Sequence, residues 1–217
     1  MPRETFDEHL AHTQDDLLAM GDMVNQAIDK AVQALIKRDM VLARQVIEED
    51  EQVNLALRSI QENCEVLIAT QQPMATDLRF ILAINNIANE LERTGDYAEG
   101  IARLAIRMGQ ELPLKPYIDI PRMAQKGREL LCGQLQAFVN RDADTARALA
   151  REDDEIDALY DQVYRELLIL MVEAPKVIGR ATHLLWVAHN LERIGDRTTN
   201  VGEQVVYMIT GQVVELN

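Results

Sequence analysis

Apolar residues recur every three or four positions along most of the chain, which is the spacing of helices with one buried face. One such series in the first half consists of Val46, Val53, Leu57, Ile60, Cys64 and Leu67. Two longer series, rich in Ala, Gly and Thr, run through residues 81–105 and 181–209. The pattern predicts an all-α protein, and the small residues of the two longer series would let a neighbouring helix come close.

Prolines divide this helical pattern, because proline breaks a helix interior. Three of the six prolines lie between Gly109 and Pro121, which we interpret as a linker between two halves. Polar corners interrupt the pattern twice more within each half. The resulting predicted helices cover residues 4–37, 40–71, 75–109, 119–140, 143–172 and 177–210.

The two halves share sequence motifs in the same order. Residues 88–96 read ANELERTGD, and residues 188–196 read AHNLERIGD. Upstream, an Arg-Asp corner followed by an acidic run occurs at 38–51 and again, at an offset of 103, at 141–154. Two ordered matches at nearly one offset indicate duplication of a three-helix unit. We therefore predict two tandem antiparallel three-helix bundles, with six helices in all, over residues 1–110 and 117–217.

The charge of the chain excludes several classes of partner. Its 36 acidic and 22 basic residues give a formal net charge of −14, whereas nucleic acids and anionic membranes attract clustered Lys and Arg. No apolar run approaches the roughly 18 residues that span a bilayer, and the first residues do not form a signal peptide. We expect a cytoplasmic protein.

Part of the acidic charge is placed where it weakens a helix. Glu92 and Asp96 are four residues apart and share one helix face, as do Glu192 and Asp196 in the second copy. Like charges at this spacing repel one another. Because both copies keep the unfavourable pair, we interpret it as a candidate site; the alternative is an ordinary solvated helix face.

Acidic residues of the preceding helices reach the same level when the chain folds back at its prolines. Asp50 lies 23 residues before Pro73, and the aspartate of the first motif lies 23 residues after it. Asp153 lies 22 residues before Pro175, and the aspartate of the second motif lies 21 after it. Carboxylates without Cys or paired His suit hard cations such as Mg²⁺, Mn²⁺, Ca²⁺ or iron, and not structural zinc.

Further oxygen ligands are available one turn beyond each motif, at Glu99 in the first copy and at Asn200 and Glu203 in the second. The glycines within the helical series form neither a phosphate-binding loop nor a dinucleotide fingerprint. Nucleophile and zinc-protease motifs are also missing from the sequence. The sequence therefore gives little support to catalysis.

Several motifs taken together resemble the PhoU family of phosphate-signalling proteins. They are Pro73-x-Ala75-x-Asp77-Leu78-Arg79, the two Leu-Glu-Arg-x-Gly-Asp runs, Asn200, and the ending Val206-Tyr207-x-x-Thr210-Gly211. The resemblance runs over essentially the whole chain. It implies two three-helix bundles whose Glu/Asp-x-x-x-Asp motifs bind metal ions, in some members as multinuclear iron clusters.

By position, the resemblance implies a set of metal ligands that the two halves share almost equally. The implied ligands are Glu92, Asp96, Glu192, Asp196, Asp50, Asp153 and Asn200. The ions would be iron, manganese or magnesium. The copies differ at the last position, because Gly100 stands where the second half has Asn200, and Arg197 stands where relatives often have histidine.

For function, the resemblance implies a cytoplasmic negative regulator of the phosphate regulon and not an enzyme. Similar proteins link the ATPase subunit of the phosphate-specific ABC transporter to a membrane sensor histidine kinase, so that they meet the membrane only through partners. We also expect a homodimer. Two alternatives stay open: a carboxylate-metal enzyme, which hydrolyses a phosphoester or oxidises iron, and a purely structural helical adaptor without metal.

Overall fold

The structure is a computed structural model that describes residues 3–216 of the chain. Its α-helices are α1 Arg3–Lys37, α2 Met40–Gln71, α3 Ala75–Met108, α4 Asp119–Asn140, α5 Ala143–Ala150, α6 Asp154–Glu173 and α7 Ile178–Thr210. A single 3₁₀ turn joins α5 to α6, so the two form one interrupted rod. The predicted all-α fold of six helical rods in two three-helix bundles is confirmed.

Helices α1, α2 and α3 pack together as one bundle, and α4, α5–α6 and α7 pack as the other. Two contacts join the bundles: α3 lies along α7, and α1 lies along α4. Within the described residues, α2 packs only on its own bundle, as does α5–α6, so these rods flank the molecule. The domain boundaries at residues 110 and 117 stay a prediction.

The repeated Arg-Asp corner has the same conformation in both halves. Arg38 and Arg141 adopt left-handed backbone angles, with φ of 56° and 52°, which end the preceding helix. The aspartate that follows caps the next helix: Asp39 accepts hydrogen bonds from two backbone amides of α2, and Asp142 does the same for α5. In each half, the repeated Arg-Asp sequence therefore ends the first helix and begins the second.

The apolar series define the core much as the pattern predicts. Every member of the α3 series from Ile81 to Ala105 is buried, and so is every member of the α7 series except its last residue, Ile209, which is 36% exposed. The small residues of both series are covered by neighbouring helices of the same chain. The expected homodimer stays a prediction. Within residues 3–216 no helix is long and apolar enough to cross a membrane.

Helices α3 and α7 run antiparallel across the middle of the molecule. Near one end Asn86 donates to Gln204 at 2.9 Å, and near the other Asn190 packs over Gly100. These contacts place Gly95 and Gly195 at the same level, at the centre of the pair. The two copies of the Leu-Glu-Arg-x-Gly-Asp motif therefore lie side by side at mid-height.

The second half departs from prediction at its second helix. A continuous helix over 143–172 is wrong, because Arg151–Asp153 forms a 3₁₀ turn, which is tighter than an α-helix. Asp153 is only 7% exposed, and its carboxylate packs directly against Gly195 of α7. The 3₁₀ turn therefore includes the buried Asp153, whereas α2 continues without a break past Asp50.

Candidate metal centres

The first bundle collects four carboxylates between α2 and α3, which we call the first acidic centre: Asp50, Glu92, Asp96 and Glu99. Helix α2 packs against α3 at Gly95. The Asp50 Oδ1 atom lies 3.4 Å from the place that a Cβ on Gly95 would occupy. Asp50 Oδ2 accepts a hydrogen bond from Asn54 at 3.0 Å, which orients the carboxylate.

These carboxylates make one another costly to ionise. Burial, together with the charges of Glu99 and Asp96, raises the pKa of Asp50 to about 6. Burial and the neighbouring aspartates also raise the pKa of Glu92, and burial and Glu99 raise that of Asp96. The first acidic centre therefore holds negative charge that a bound cation would stabilise.

The second bundle holds the corresponding cluster between α5–α6 and α7, the second acidic centre: Asp153, Asp157, Glu192 and Asp196. Asp153 lies deepest. Its Oδ1 atom is buried with no hydrogen-bond partner among the described residues, and Oδ2 accepts from Thr199 Oγ1 at 3.4 Å. Burial, followed by the charges of Asp157 and Asp196, raises the pKa of Asp153 to about 7.

An arginine neutralises part of the second acidic centre. Arg193 donates from Nε and Nη2 to both oxygens of Glu192 at 2.6 Å, and its Nη1 lies 3.0 Å from Asp196 Oδ2. Its counterpart Arg93 instead lies 3.7 Å from Glu90, outside the first acidic centre. In the first acidic centre the compensation comes from a different arginine, because Arg103 Nη2 donates to Glu99 Oε1 at 2.5 Å. The motif arginine is therefore hydrogen-bonded to acids of its own centre only in the second bundle.

Two of the further oxygen ligands suggested by the sequence have other partners. Asn200 Nδ2 donates to Glu90 Oε2 at 3.0 Å, where Arg197 also pairs with Glu90 across the α3–α7 contact. Glu203 accepts from the backbone amide of Leu216 at 3.0 Å. In the structure these side chains therefore hold the two bundles and the end of the chain together.

Asp157 was missed by the sequence reasoning. It lies one helical turn after Asp153, and the signal for it is the same four-residue spacing that singled out the motifs on α3 and α7. As the side chains stand, the described part of the chain contains no group of three His, Cys, Asp or Glu residues placed to hold a metal ion. The implied ligands are neighbours in each centre, but they do not form a closed coordination shell.

The fold and these clusters define a duplicated, all-helical protein with a carboxylate-rich centre in each bundle. Comparison with known proteins assigns the family. The profile of the PhoU domain matches residues 17–105 and 120–205. The chain belongs to the PhoU family, as the sequence motifs indicate.

Two named relatives match the chain over nearly its whole length. The "phosphate-specific transport system accessory protein PhoU homolog" of Pseudomonas putida is 39% identical, over 96% of this chain and 82% of the relative. The protein with the same description from Aquifex aeolicus is also 39% identical, over 96% of this chain and 94% of its own.

Solved structures agree with this assignment. The crystal structure of PhoU from Pseudomonas aeruginosa superposes with a TM-score of 0.91 at 38% identity, and covers 95% of this chain and 100% of the other. The phosphate transport system regulatory protein PhoU from Streptococcus pneumoniae gives a TM-score of 0.90 at 30% identity, with coverage of 96% and 99%.

Proposed function

We propose that this protein is a non-enzymatic, metal-binding regulator of phosphate uptake. It couples the ATPase subunit of a phosphate-specific ABC transporter to a sensor histidine kinase, and it represses the phosphate regulon when phosphate is plentiful. Its place is the cytoplasm, and it reaches the membrane through these partners. Family membership over nearly the whole chain supports the role in phosphate transport.

The observation that carries the metal part of the proposal is the orphaned oxygen of Asp153. A buried polar atom without a partner is costly, and a buried carboxylate more so. Asp153 Oδ1 is such an atom, and it lies beside Asp157 and Asp196. A hard cation supplies the missing partner, and it would also offset the repulsion that raises the pKa of the surrounding carboxylates.

The donor set fits the proposed ions. Both acidic centres consist of carboxylate oxygens, which favour iron, manganese or magnesium over a thiolate-bound zinc. In the first bundle Asp50, Glu92 and Asp96 would hold an ion, and Glu99 stands beside them. In the second, Asp153, Glu192 and Asp196 would do so after Arg193 moves away. Asn200 would join only by exchanging its bond to Glu90.

Docking follows from the same charge pattern. One centre lies in each bundle, near mid-height of the α3–α7 pair, so a partner that spans both bundles would meet two acidic surfaces. Opposite charge on a partner speeds encounter and fixes orientation. We therefore propose that basic patches of the transporter ATPase or of the kinase dock over these centres, either on the carboxylates or on ions bound to them.

The test is a variant with both motifs removed: Glu92→Ala, Asp96→Ala, Glu192→Ala and Asp196→Ala. Protein is purified from cells grown at high phosphate, its metal content is measured, and its capture by the ATPase subunit and by the kinase is compared with wild type. We expect loss of bound metal and at least a tenfold loss of capture. Far-UV circular dichroism establishes that the variant keeps its helices.

The matched control changes four exposed acids outside the centres to alanine, so that the loss of negative charge is the same: Glu62, Glu65, Asp161 and Glu173. This control should retain both metal and partners. Unchanged metal and capture in the motif variant would contradict the proposal. If the two variants lose partner capture equally, docking depends on the overall negative charge and not on the acidic centres. Chelator-sensitive turnover of a phosphoester, or oxidation of Fe²⁺, would favour the enzyme alternative instead.

A further inference from the structure

In one cavity of this acidic molecule, the basic side chains of the lining outnumber the acidic ones. It lies between the last turn of α3, the linker that follows, and the first turn of α7, and its volume is about 240 Å³. Its charged lining residues are Arg107, Lys176, Arg180 and Glu111. In a chain with a net charge of −14, this is a local reversal of sign.

The arginine at the centre of this cavity is already oriented. Arg180 Nε lies 2.6 Å from Glu111 Oε2, and its Nη2 donates to the backbone carbonyl of Leu112. Its guanidinium is thereby fixed between α7 and the linker. A fixed fork of donors suits an oxyanion, because little conformational entropy is lost on binding.

Two further cations of the cavity are left uncompensated. Among the described residues, Arg107 and Lys176 form no ion pair and are exposed at the rim, whereas Arg180 is paired with Glu111. Unpaired cations at the rim of a concave surface create a positive potential inside it. The cavity therefore attracts anions that the rest of the surface repels.

The walls add neutral donors and a low dielectric. Tyr117 is half-buried in the wall; burial raises its pKa, although the charges of Arg180 and Arg38 lower it, so the phenol stays protonated and able to donate. The first turn of α7 has no side-chain cap, and Gly179 there faces open space. Leucine and methionine side chains complete the lining, and apolar walls strengthen charge interactions.

The opposite end of the α3–α7 pair provides an internal comparison. There the chain segment after α7 takes the place of the linker, and a cavity of about 260 Å³ is formed. Its described lining contains Glu203 and Gln204 but no Lys or Arg. A second cavity at this end is lined by Arg141, which lies there with Asp77. Of the three cavities, the one beside Arg180 therefore has the most basic residues in its lining.

We propose that the cavity beside Arg180 binds a small phosphate-class oxyanion, either inorganic phosphate or a compact phosphomonoester. Several donors converge from Arg107, Lys176 and Arg180, which suits a dianion with several oxygens better than a single carboxylate. The volume lies below the roughly 300 Å³ at which pockets begin to enclose drug-sized ligands, which favours a compact anion over a nucleotide. This site is separate from both acidic centres.

The probe is inorganic phosphate, titrated into chelator-treated protein by calorimetry, so that metal-bound phosphate does not contribute. We expect saturable binding, with shifts of the amide resonances of Lys176 and Gly179. The double variant Arg107→Glu, Lys176→Glu should lose at least tenfold in affinity. The control Arg58→Glu, Arg165→Glu alters two exposed cations outside the cavity by the same charge, and should change affinity less than twofold.

A parallel titration with glycerol 3-phosphate distinguishes the two sources of the phosphate group, because whichever binds more tightly identifies the form that the cavity prefers. The proposal is overturned if neither compound saturates, if both double variants lose affinity equally, or if acetate competes as well as phosphate. Since metal is absent throughout, such a failure leaves the proposed metal centres and their partners untouched.

Discussion

The two acidic centres come from one duplicated motif but differ in depth and compensation. In the first bundle Asp96 is exposed and Arg93 turns away towards Glu90. In the second, Asp153 is nearly inaccessible, and Arg193 bridges the two acids of the motif. Duplication has kept the scaffold and the glycine between the helices, while the electrostatics of the two copies have diverged.

The physical origin of this difference lies in the helices that face the motifs. Helix α2 is regular where it passes Gly95, and Asp50 stays partly exposed there. The corresponding rod is interrupted at Arg151–Asp153, and the tighter turn brings Asp153 against Gly195. A local change in helix type is therefore sufficient to convert a shallow carboxylate into a buried one.

The largest contrast should come from the two motif glycines. In Gly195→Ala the new methyl group would overlap the Asp153 carboxylate and reach within 3.1 Å of Ile156, so we expect a loss of about 1–3 kcal/mol of unfolding free energy. In Gly95→Ala the nearest atoms lie at 3.4 Å, and the better helix propensity should stabilise by up to about 1 kcal/mol. Urea unfolding of both variants measures this; equal effects would contradict the difference in depth.

A smaller contrast should appear in the pH dependence of stability without metal. A folded-state pKa above the ordinary value means that the folded state binds protons more tightly, so stability falls as the pH rises. For Asp153 the fall in stability extends from about pH 3.8 to about pH 7, and for Asp50 it extends from about pH 3.8 to about pH 6. Asp153→Asn should remove on the order of 1–3 kcal/mol of this loss, and Asp50→Asn should remove less.

The measurement is chemical unfolding in chelator at about pH 5 and about pH 8, which bracket both pKa values. Each asparagine variant should flatten the decrease in stability between these conditions, and the variant at Asp153 should flatten it more. A decrease as steep in Asp153→Asn as in wild type would show that its burial does not control the titration.

The helix caps test whether the difference is confined to the centres. Asp39 accepts from two backbone amides at 3.0 Å, and Asp142 accepts from two at 3.1 and 3.0 Å. Because the bonds to the two backbone amides are alike, Asp39→Ala and Asp142→Ala should each lower the melting temperature by about 2–4 °C. Asp142 also accepts from Thr145 Oγ1 at 2.7 Å, so its shift should lie at the upper end of this range. Calorimetric melting curves check this. Clearly unequal shifts would mean that the halves differ well beyond their acidic centres.

The smallest effect should come from the arginine of the motif. Arg193→Gln removes a positive charge from beside Glu192 and Asp196, and should raise the affinity for Mn²⁺ at the second acidic centre at least about threefold. Arg93→Gln should change Mn²⁺ affinity little, because Arg93 faces Glu90. Calorimetric titration of both variants tests the contrast. Equal changes would show that Arg193 does not compete with the cation.

Much of the fold could be predicted because its signals are periodic or repeated. The three-and-four spacing of the series from Ile81 to Ala105 gives the buried face of α3, and the Arg38-Asp39 corner gives a helix boundary. The matched distances from Pro73 place Asp50 level with its partners on α3, where the structure also has it. These signals can be interpreted from the sequence because they depend only on residue spacing and on local backbone geometry.

What sequence could not supply depends on contacts between distant helices. The 3₁₀ turn at Arg151–Asp153 has no proline or glycine to mark it, and it coincides with the contact of Asp153 with Gly195 on α7. Asn200 looked like a ligand from its spacing, but its partner Glu90 lies on another helix. The basic cavity could not be predicted for the same reason, because its cations come from α3, from α7 and from the turn that precedes α7.

The antiparallel contact of α3 with α7 has the form of a self-complementary dimer interface, because equivalent stretches of the two halves meet across it. In a symmetric dimer every substitution would appear twice. Here the linker ties the two bundles into one chain, so their association does not depend on protein concentration. Each side is also free to change alone, as Glu90 and Asn190 have done at equivalent positions. Tethering thus turns a symmetric contact into one that can carry two different tasks.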